Sequence, residues 1–237
     1  VQRAGLARAL HAVPARKPLT VAHLAVAGLA EELGARGIPA YPSAERAVRA
    51  LAHAARHARW LASSAEPGRV PAYADIDESA AGRVIAEAMP ARGSAPEATA
   101  DLTPGQVRAL LGAYGVPVSP GPAEPGGVDT VVRVEVDPAI GAVLSFGLAG
   151  PPSELLGDIA HRLLPLTARD AAELVRSIRA APMLFGWRGS RPVDTDRLEE
   201  LMLRLGRLVE DHPGLAAVEL SPLTVAPAGA RGRAASA

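Results

Sequence analysis

Residues 146–223 read FGLAGPPSELLGDIAHRLLPLTARDAAELVRSIRAAPMLFGWRGSRPVDTDRLEELMLRLGRLVEDHPGLAAVELSPL, and this stretch decides the fold. TARDAAELVRSIRA (167–180) predicts a helix. It opens on Thr167 with Asp170 three residues on, a capping-box pattern in which each side chain satisfies a backbone N–H that the first turn leaves free. DTDRLEELMLRLGRLVEDH (194–212) predicts the longest helix, capped by Asp194, with Leu198, Leu201, Leu205 and Leu208 on one apolar stripe. LAAVELSPLTV (215–225) reads as a closing strand. Just upstream, DTVVRVEVDPAIGAVLSFGL (129–148) predicts two strands, with Val132, Val134 and Val136 alternating and DPAIG supplying the turn. Strands near 130–136, 142–148 and 216–225 are therefore expected in one sheet. The two helices should cover it, because their apolar stripes need a hydrophobic partner. Helices alternating with short strands give the class α/β.

Working outward, LTPGQVRALLGAYGVPV (102–118) predicts a short helix with Thr103 as N-cap, Pro104 at the first helical position and Gly115 as its stop, leading to a strand at VPV. SPGPAEPGG (119–127) is a Pro/Gly loop. A helix is expected near 76–90, set between two turn-rich stretches, 63–82 and 89–101, so that 63–101 reads as a linker carrying one helix. Further upstream, 20–36 reads as a helix and GIPAYP (37–42) as a short strand and turn. Ser43 then caps a helix that holds its 3.6-residue period to about residue 62. That helix carries Arg46, Arg49, His53, Arg56, His57 and Arg59 on its polar side. Four divisions follow: 1–62, the 63–101 linker with its helix, 102–227, and a tail at 228–237 that is expected to be disordered.

The chain has 25 basic and 25 acidic residues in 237, which argues against a strongly basic nucleic-acid binder. It has no cysteine, so disulfides, thiolate–zinc sites and thiol catalysis are excluded. Lys17 is the sole lysine and there is no asparagine, so chemistry needing a lysine has one candidate and chemistry needing an asparagine ligand has none. No uncharged apolar run is long enough to span a bilayer, and VQRAGLARAL lacks the apolar core of a signal peptide, which points to the cytoplasm.

Five segments, taken in order, resemble the ADP-forming acetate–CoA ligase family. FGLAG (146–150) followed by Glu154 is similar to that family's glycine-rich FGxGG loop and acid. Asp158 to Leu166 resembles its "D-hydrophobic-A-x-R-L-x-PL" stretch, and Gly186-Trp187-Arg188-Gly189 its "GxRG" turn. Asp194 with Leu198 resembles its "D-x-x-x-L" helix, and Val218 to Leu223 its "ELDxNPL" strand. DPAIGAVLSFG (137–147) looks like the family hairpin, RALLGAYGVPV (108–118) like the first helix of its ATP-grasp region, and residues 36–60 like the last strand and helix of its flavodoxin-like CoA-ligase domain. The resemblance implies a truncated ATP-grasp-like domain preceded by a remnant of the flavodoxin-like domain. It departs from the family in three ways. A nine-residue loop at 119–127 stands where a whole subdomain bearing the ATP-phosphate lysine belongs. Glu219 and Ser221 stand where the family has Asp and Asn metal ligands. The Rossmann and phosphohistidine domains are missing.

The resemblance also implies roles. Glu219 and Ser221 would hold Mg against ATP, since hard cations take oxygen ligands; the other reading is a relic strand end. Gly147 and Gly150 would cradle a phosphate with backbone N–H groups. The alternative there is a tight turn, favoured by Ala149 and by the missing donors of Pro151 and Pro152. Glu154, as the catalytic acid position, and Arg162 would lie near a phosphate or phosphohistidine, unless Arg162 is simply an exposed strand residue. Arg188 would contact an anion, or else pack on Trp187 as a turn residue. His161 reads as a partly buried structural histidine, and His53 with His57 as a solvated helix face. No serine–histidine–acid pattern suggests hydrolase chemistry.

Three functions are carried forward. The first is an impaired acyl-CoA ligase-like module that binds acyl-CoA or nucleotide and regulates a GNAT acetyltransferase, as in actinobacterial fusions of this kind. The second is a subunit of an active ADP-forming ligase that obtains its missing ligase domains from another chain. The third is a structural relic with an interaction role. Alone, the chain is expected not to make acyl-CoA from ATP, acid and CoA. Apolar surface near Leu51 and Leu61 is expected to support self-association.

Overall fold

The structure is a computed structural model that describes residues 3–13, 17–23, 27–64, 68–89, 100–116 and 125–229. It divides into two compact units, Val1–Pro67 and Gly68–Ala237.

The first unit contains α1 (Arg3–His11), β1 (Val21–Ala22), α2 (Leu29–Gly34), β2 (Ala40–Tyr41) and α3 (Ala44–Ser64). β1 and β2 pair in parallel, Val21 opposite Ala40, with α2 as the crossover between them. Ala7, Leu29, Leu33 and Ile38 form its small core. The helix expected over 20–36 is therefore corrected to a strand and a shorter helix. Gly28 sits at φ 71, a left-handed conformation that stops α2 from extending towards the N-terminus. α1 was not foreseen. Ser43 accepts from the Arg46 N–H at 3.3 Å, as its reading as a cap requires. α3 buries only Ala47, while Val48, Trp60 and Leu61 are exposed and Leu51 is half-buried, so the apolar surface expected near Leu51 and Leu61 is present around Leu61.

The second unit is built on a four-stranded antiparallel sheet, in the order β5-β4-β3-β6. Its strands are β3 (Val128–Asp137), β4 (Gly141–Leu148), β5 (Ile159–Leu163) and β6 (Ala217–Val225). α7 (Ala168–Ser177) lies against β4 and β5, and α8 (Thr195–Asp211) against β3, β4 and β6. Both helices thus cover the sheet as their stripes demand. Val132, Val134, Leu144 and Phe146 from the sheet meet Leu174, Leu198, Met202 and Leu205 in one core. Each such side chain contributes about 1.5–3 kcal/mol when fully buried. The Thr167–Asp170 capping box and the Asp194 cap are both formed. β5 is an edge strand beyond the three expected, and a short helix, α6 (Pro151–Leu156), follows the glycine-rich loop.

The stretch 63–101, expected as a linker, contributes α4 (Glu78–Ala88) to this same core. Ala81 is fully buried and α4 packs on α5 (Pro104–Ala113), whose Leu110 and Leu111 are buried with it. The Asp77 N–H donates to the Ala113 carbonyl at 2.9 Å, tying the two helices end to end. The linker reading rested on Pro and Gly content, which does not register that a short alanine-rich helix buries one face. α5 has the expected Thr103 cap and Pro104 in its first turn, and Gln106 completes a capping box that was not expected. It stops at Gly115, φ 67, where the Val116 N–H reaches back to the Leu111 carbonyl at 2.9 Å. Of the strand expected at VPV, Val116 is described and is not strand; Pro117, Val118 and most of the 119–127 loop lie outside the described residues, as does the tail from 230 onwards. Ala228 is tied in, donating to the Pro192 carbonyl at 2.9 Å, so the tail expected from 228 begins later. Among the described residues no helix is long and apolar enough to cross a membrane.

Candidate functional site

α7 and α8 cover one face of the four-stranded sheet and leave the other open. Register fixes what the open face displays. Glu219 lies opposite Arg133, Arg133 opposite Ser145, and Ser145 opposite His161, so one polar row crosses all four strands. The side chains of paired residues on adjacent strands share a face and touch. The Ser145 hydroxyl and His161 Nδ1 are 2.8 Å apart. The Arg133 guanidinium lies 3.1 Å from Glu135 and 3.9 Å from Glu219. Ala217, Glu135, Val143 and Leu163 form the neighbouring row on one side, and Val131, Gly147 and Ile159 the row on the other. Ile159 and Leu163 are exposed. The face therefore offers a charged and hydroxylic band with an apolar row on one side and, on the other, a row in which Glu135 interrupts Val143 and Leu163.

His161 is exposed in this row, which corrects its reading as a partly buried structural residue. Arg162 points the other way, because neighbours on a strand alternate faces. It lies on the helix-covered side, 3.6 Å from Glu173 of α7, and is not brought together with Gly147 or Glu219. Glu219 and Ser221 are both exposed, flanking buried Leu220. At Ser221 and Pro222 the pairing slips, so that these two residues oppose the single Val131. Glu154 is exposed on α6. Arg188 sits apart in a turn between Gly186 and Gly189, at φ 52, with its guanidinium 5.7 Å from the centre of the Trp187 ring, which is the packing its turn-residue reading describes.

The glycine-rich loop has few backbone donors to offer a phosphate. The Ala149 N–H is spent on the Asp129 carbonyl at 2.9 Å. Pro151 and Pro152 have none. The N–H groups of Ser153 and Glu154 both return to the Gly150 carbonyl, at 3.1 and 3.3 Å. Gly150, at φ 105, makes the turn into α6. Its neighbour Asp158 has a structural task that sequence reasoning did not assign. Its buried carboxylate accepts from the Arg179 and Ala180 N–H groups at 2.7 and 2.8 Å, fastening the start of β5 to the end of α7.

A magnesium site does not fit these residues. Among the described residues no group of three acidic or imidazole side chains converges. Glu219 brings one carboxylate with a guanidinium 3.9 Å away, which competes with a cation for it.

Among the described residues, both long helices of the second unit, α7 and α8, lie on one face of the antiparallel sheet and the polar row lies on the other. The ATP-grasp domain family matches residues 112–232, just over half of the chain, and the chain belongs to that family. It is similar to acetate–CoA ligase [ADP-forming] I of Archaeoglobus fulgidus, at 38% identity over 100 residues, covering 42% of this chain and 15% of that protein. It is similar also to acetate–CoA ligase [ADP-forming] I subunit beta of Pyrococcus furiosus, at 34% identity over 99 residues, covering 42% of this chain and 43% of the relative. The chain thus spans less than half the length of these curated relatives. Among solved structures, the apo form of a dinucleotide-forming acetyl-coenzyme A synthetase 1 of Ca. Korarchaeum cryptofilum matches at 32% identity and a TM-score of 0.42, covering 44% of this chain and 50% of that one.

Proposed function

We propose that this chain is an acyl-CoA ligase-like ATP-grasp module that binds a nucleotide or acyl-CoA on the open face of its sheet and does not complete ligation by itself. The observation that carries this reading is the one-sided sheet, with its Glu219–Arg133–Ser145–His161 row beside the apolar row of Val131 and Ile159. A flat aromatic ring with a polar tail suits that pattern: Val131 and Ile159 face the ring, while the Ser145 hydroxyl and the Arg133 guanidinium, exchanged from Glu135 and Glu219, meet polar oxygens. Phosphoryl transfer needs cations that hold a triphosphate in line and a metal that bridges its oxygens. The glycine-rich loop and Glu219 supply neither set. In this reading the module senses its ligand for a partner, either a GNAT acetyltransferase or the remaining ligase domains.

The test is titration calorimetry of the purified chain with ATP, ADP and acetyl-CoA, each with and without magnesium, beside a coupled assay for ADP release with acetate and CoA. Saturable binding that Arg133→Ala weakens, with no acetate-dependent ADP release, is the expected result. Failure of all three ligands to bind overturns the reading. The second reading, a working ligase subunit, is favoured by the similarity to a beta subunit. It predicts acetate-dependent ADP release once the missing domains are added as a separate chain.

A further inference from the structure

β6 is an edge strand, and its outer edge runs along a groove. The groove lies between β6 and the α4–α5 pair and has a volume of about 650 Å³, within the range of about 300–1,000 Å³ typical of ligand sites. Its walls are apolar, with Ile85 and Met89 from α4 and its end, Val107 and Leu111 from α5, and Leu215 and Val218 beside β6. One side is backbone. The Val136 N–H donates to the Ala216 carbonyl at 3.0 Å, so residue 216 faces β3. Backbone direction alternates along an antiparallel strand. Residues 218 and 220 therefore also face β3, and the N–H and C=O groups of Ala217 and Glu219 point outward along the groove. Asp101 and Glu219 bring two carboxylates to its rim, with no basic residue among its described lining.

We propose that this groove takes an extended peptide with alternating apolar and basic residues, which adds to β6 as a fifth strand. The outward groups of Ala217 and Glu219 pair with its backbone. Its apolar side chains enter the space between β6 and the α4–α5 pair, and its basic side chains meet Asp101 and Glu219. Within the lining, Ala217–Glu219 are strand, about 10 Å of edge, enough to pair with the central residues of a short extended peptide. A compact nucleotide would leave the outward amides unused, whereas an extended backbone pairs with them. The groove shares Glu219 with the row on the open face, but the proposal does not rest on the ligand proposed there.

The probe is a fluorescein-labelled hexapeptide of alternating valine and lysine. Its binding to the full chain is followed by anisotropy, with amide hydrogen exchange read at Ala217 and Glu219. Saturable binding is expected, together with slowed exchange at those two amides. Weakening of about fivefold or more is expected for a backbone N-methylated peptide, which loses at least one hydrogen bond. Asp101→Lys, an exposed substitution, should weaken binding similarly at low salt. Three results would overturn the proposal: no saturable binding, binding that leaves exchange at Ala217 and Glu219 unchanged, or slow exchange at both amides in the free protein, which would mean that the chain itself already occupies the edge.

Discussion

Replacing Arg204 by Met tests whether the segment before α4 belongs to the second unit. Arg204 stands on α8 with its side chain 11% exposed. Its Nη1 donates to the Tyr114 carbonyl at 3.0 Å and pairs with Asp75 at 3.1 Å, its Nε donates to Glu200 at 3.0 Å, and its guanidinium lies 4.2 Å from the centre of the Tyr73 ring. Met keeps the length and apolar body of the stem, so the loss falls on the guanidinium. A buried carbonyl left without a donor costs about 1–3 kcal/mol. Losing the stack on Tyr73 costs about 0.5–2 kcal/mol. Asp75 and Glu200 are 61% and 53% exposed, so water screens both pairs and they add little. Arg204→Met should therefore destabilise the chain by about 2–4 kcal/mol, or lower Tm by roughly 4–16 °C at the scale of a domain this size. Urea unfolding of the wild type, Arg204→Met, Asp75→Ala and Glu200→Ala reads the difference. A wild-type midpoint for Arg204→Met refutes the reasoning. So does an Asp75→Ala effect as large as that of Arg204→Met, because it would place the energy in the exposed pair and not in the buried carbonyl.

Further outcomes follow from the same packing. Gly115→Ala should destabilise by about 2–3 kcal/mol, since φ 67 is costly for alanine and the new Cβ would collide with the Arg204 guanidinium; combined with Arg204→Met, the clash disappears and unfolding measurements should show a sum smaller than its parts. Asp158→Ala strands two N–H groups at the end of α7 and should cost about 2–4 kcal/mol by urea unfolding, with faster amide exchange at Arg179 and Ala180. Burial, then the hydrogen bond to Asp211 at 2.9 Å, push the Tyr114 phenol above its ordinary ionisation range. A raised folded value contributes stability that is complete below about pH 10 and lost as pH climbs through the folded value. Urea midpoints measured between about pH 8 and pH 11 should fall at the alkaline end, and Tyr114→Phe should flatten that fall.

Local chemistry made much of this protein legible in its residues. Thr103, Thr167 and Asp194 announce helix starts because a cap is made within four residues of chain. The stripes of 167–180 and 194–212 announce a covered sheet because an apolar helix face has to be buried. The DPAIG turn sets β3 against β4, so even the Arg133–Ser145 pairing follows from sequence once the turn is placed. What the tertiary structure decided depends on contacts between residues far apart in the chain. Pairing of β5 with β4 and of β6 with β3 brought His161 and Glu219 into one row with Arg133 and Ser145, and no local pattern encodes which residue faces which across strands. Strand alternation then put Arg162 on the covered face, away from the residues that motif order had grouped with it. Ala81 and Arg204 joined the supposed linker to the core for the same reason: burial belongs to the packed assembly and is invisible in a segment's own composition. The backbone of Ala149, Ser153 and Glu154 was committed by folding to Asp129 and Gly150, and so a glycine-rich loop that reads as a phosphate cradle became a closed turn.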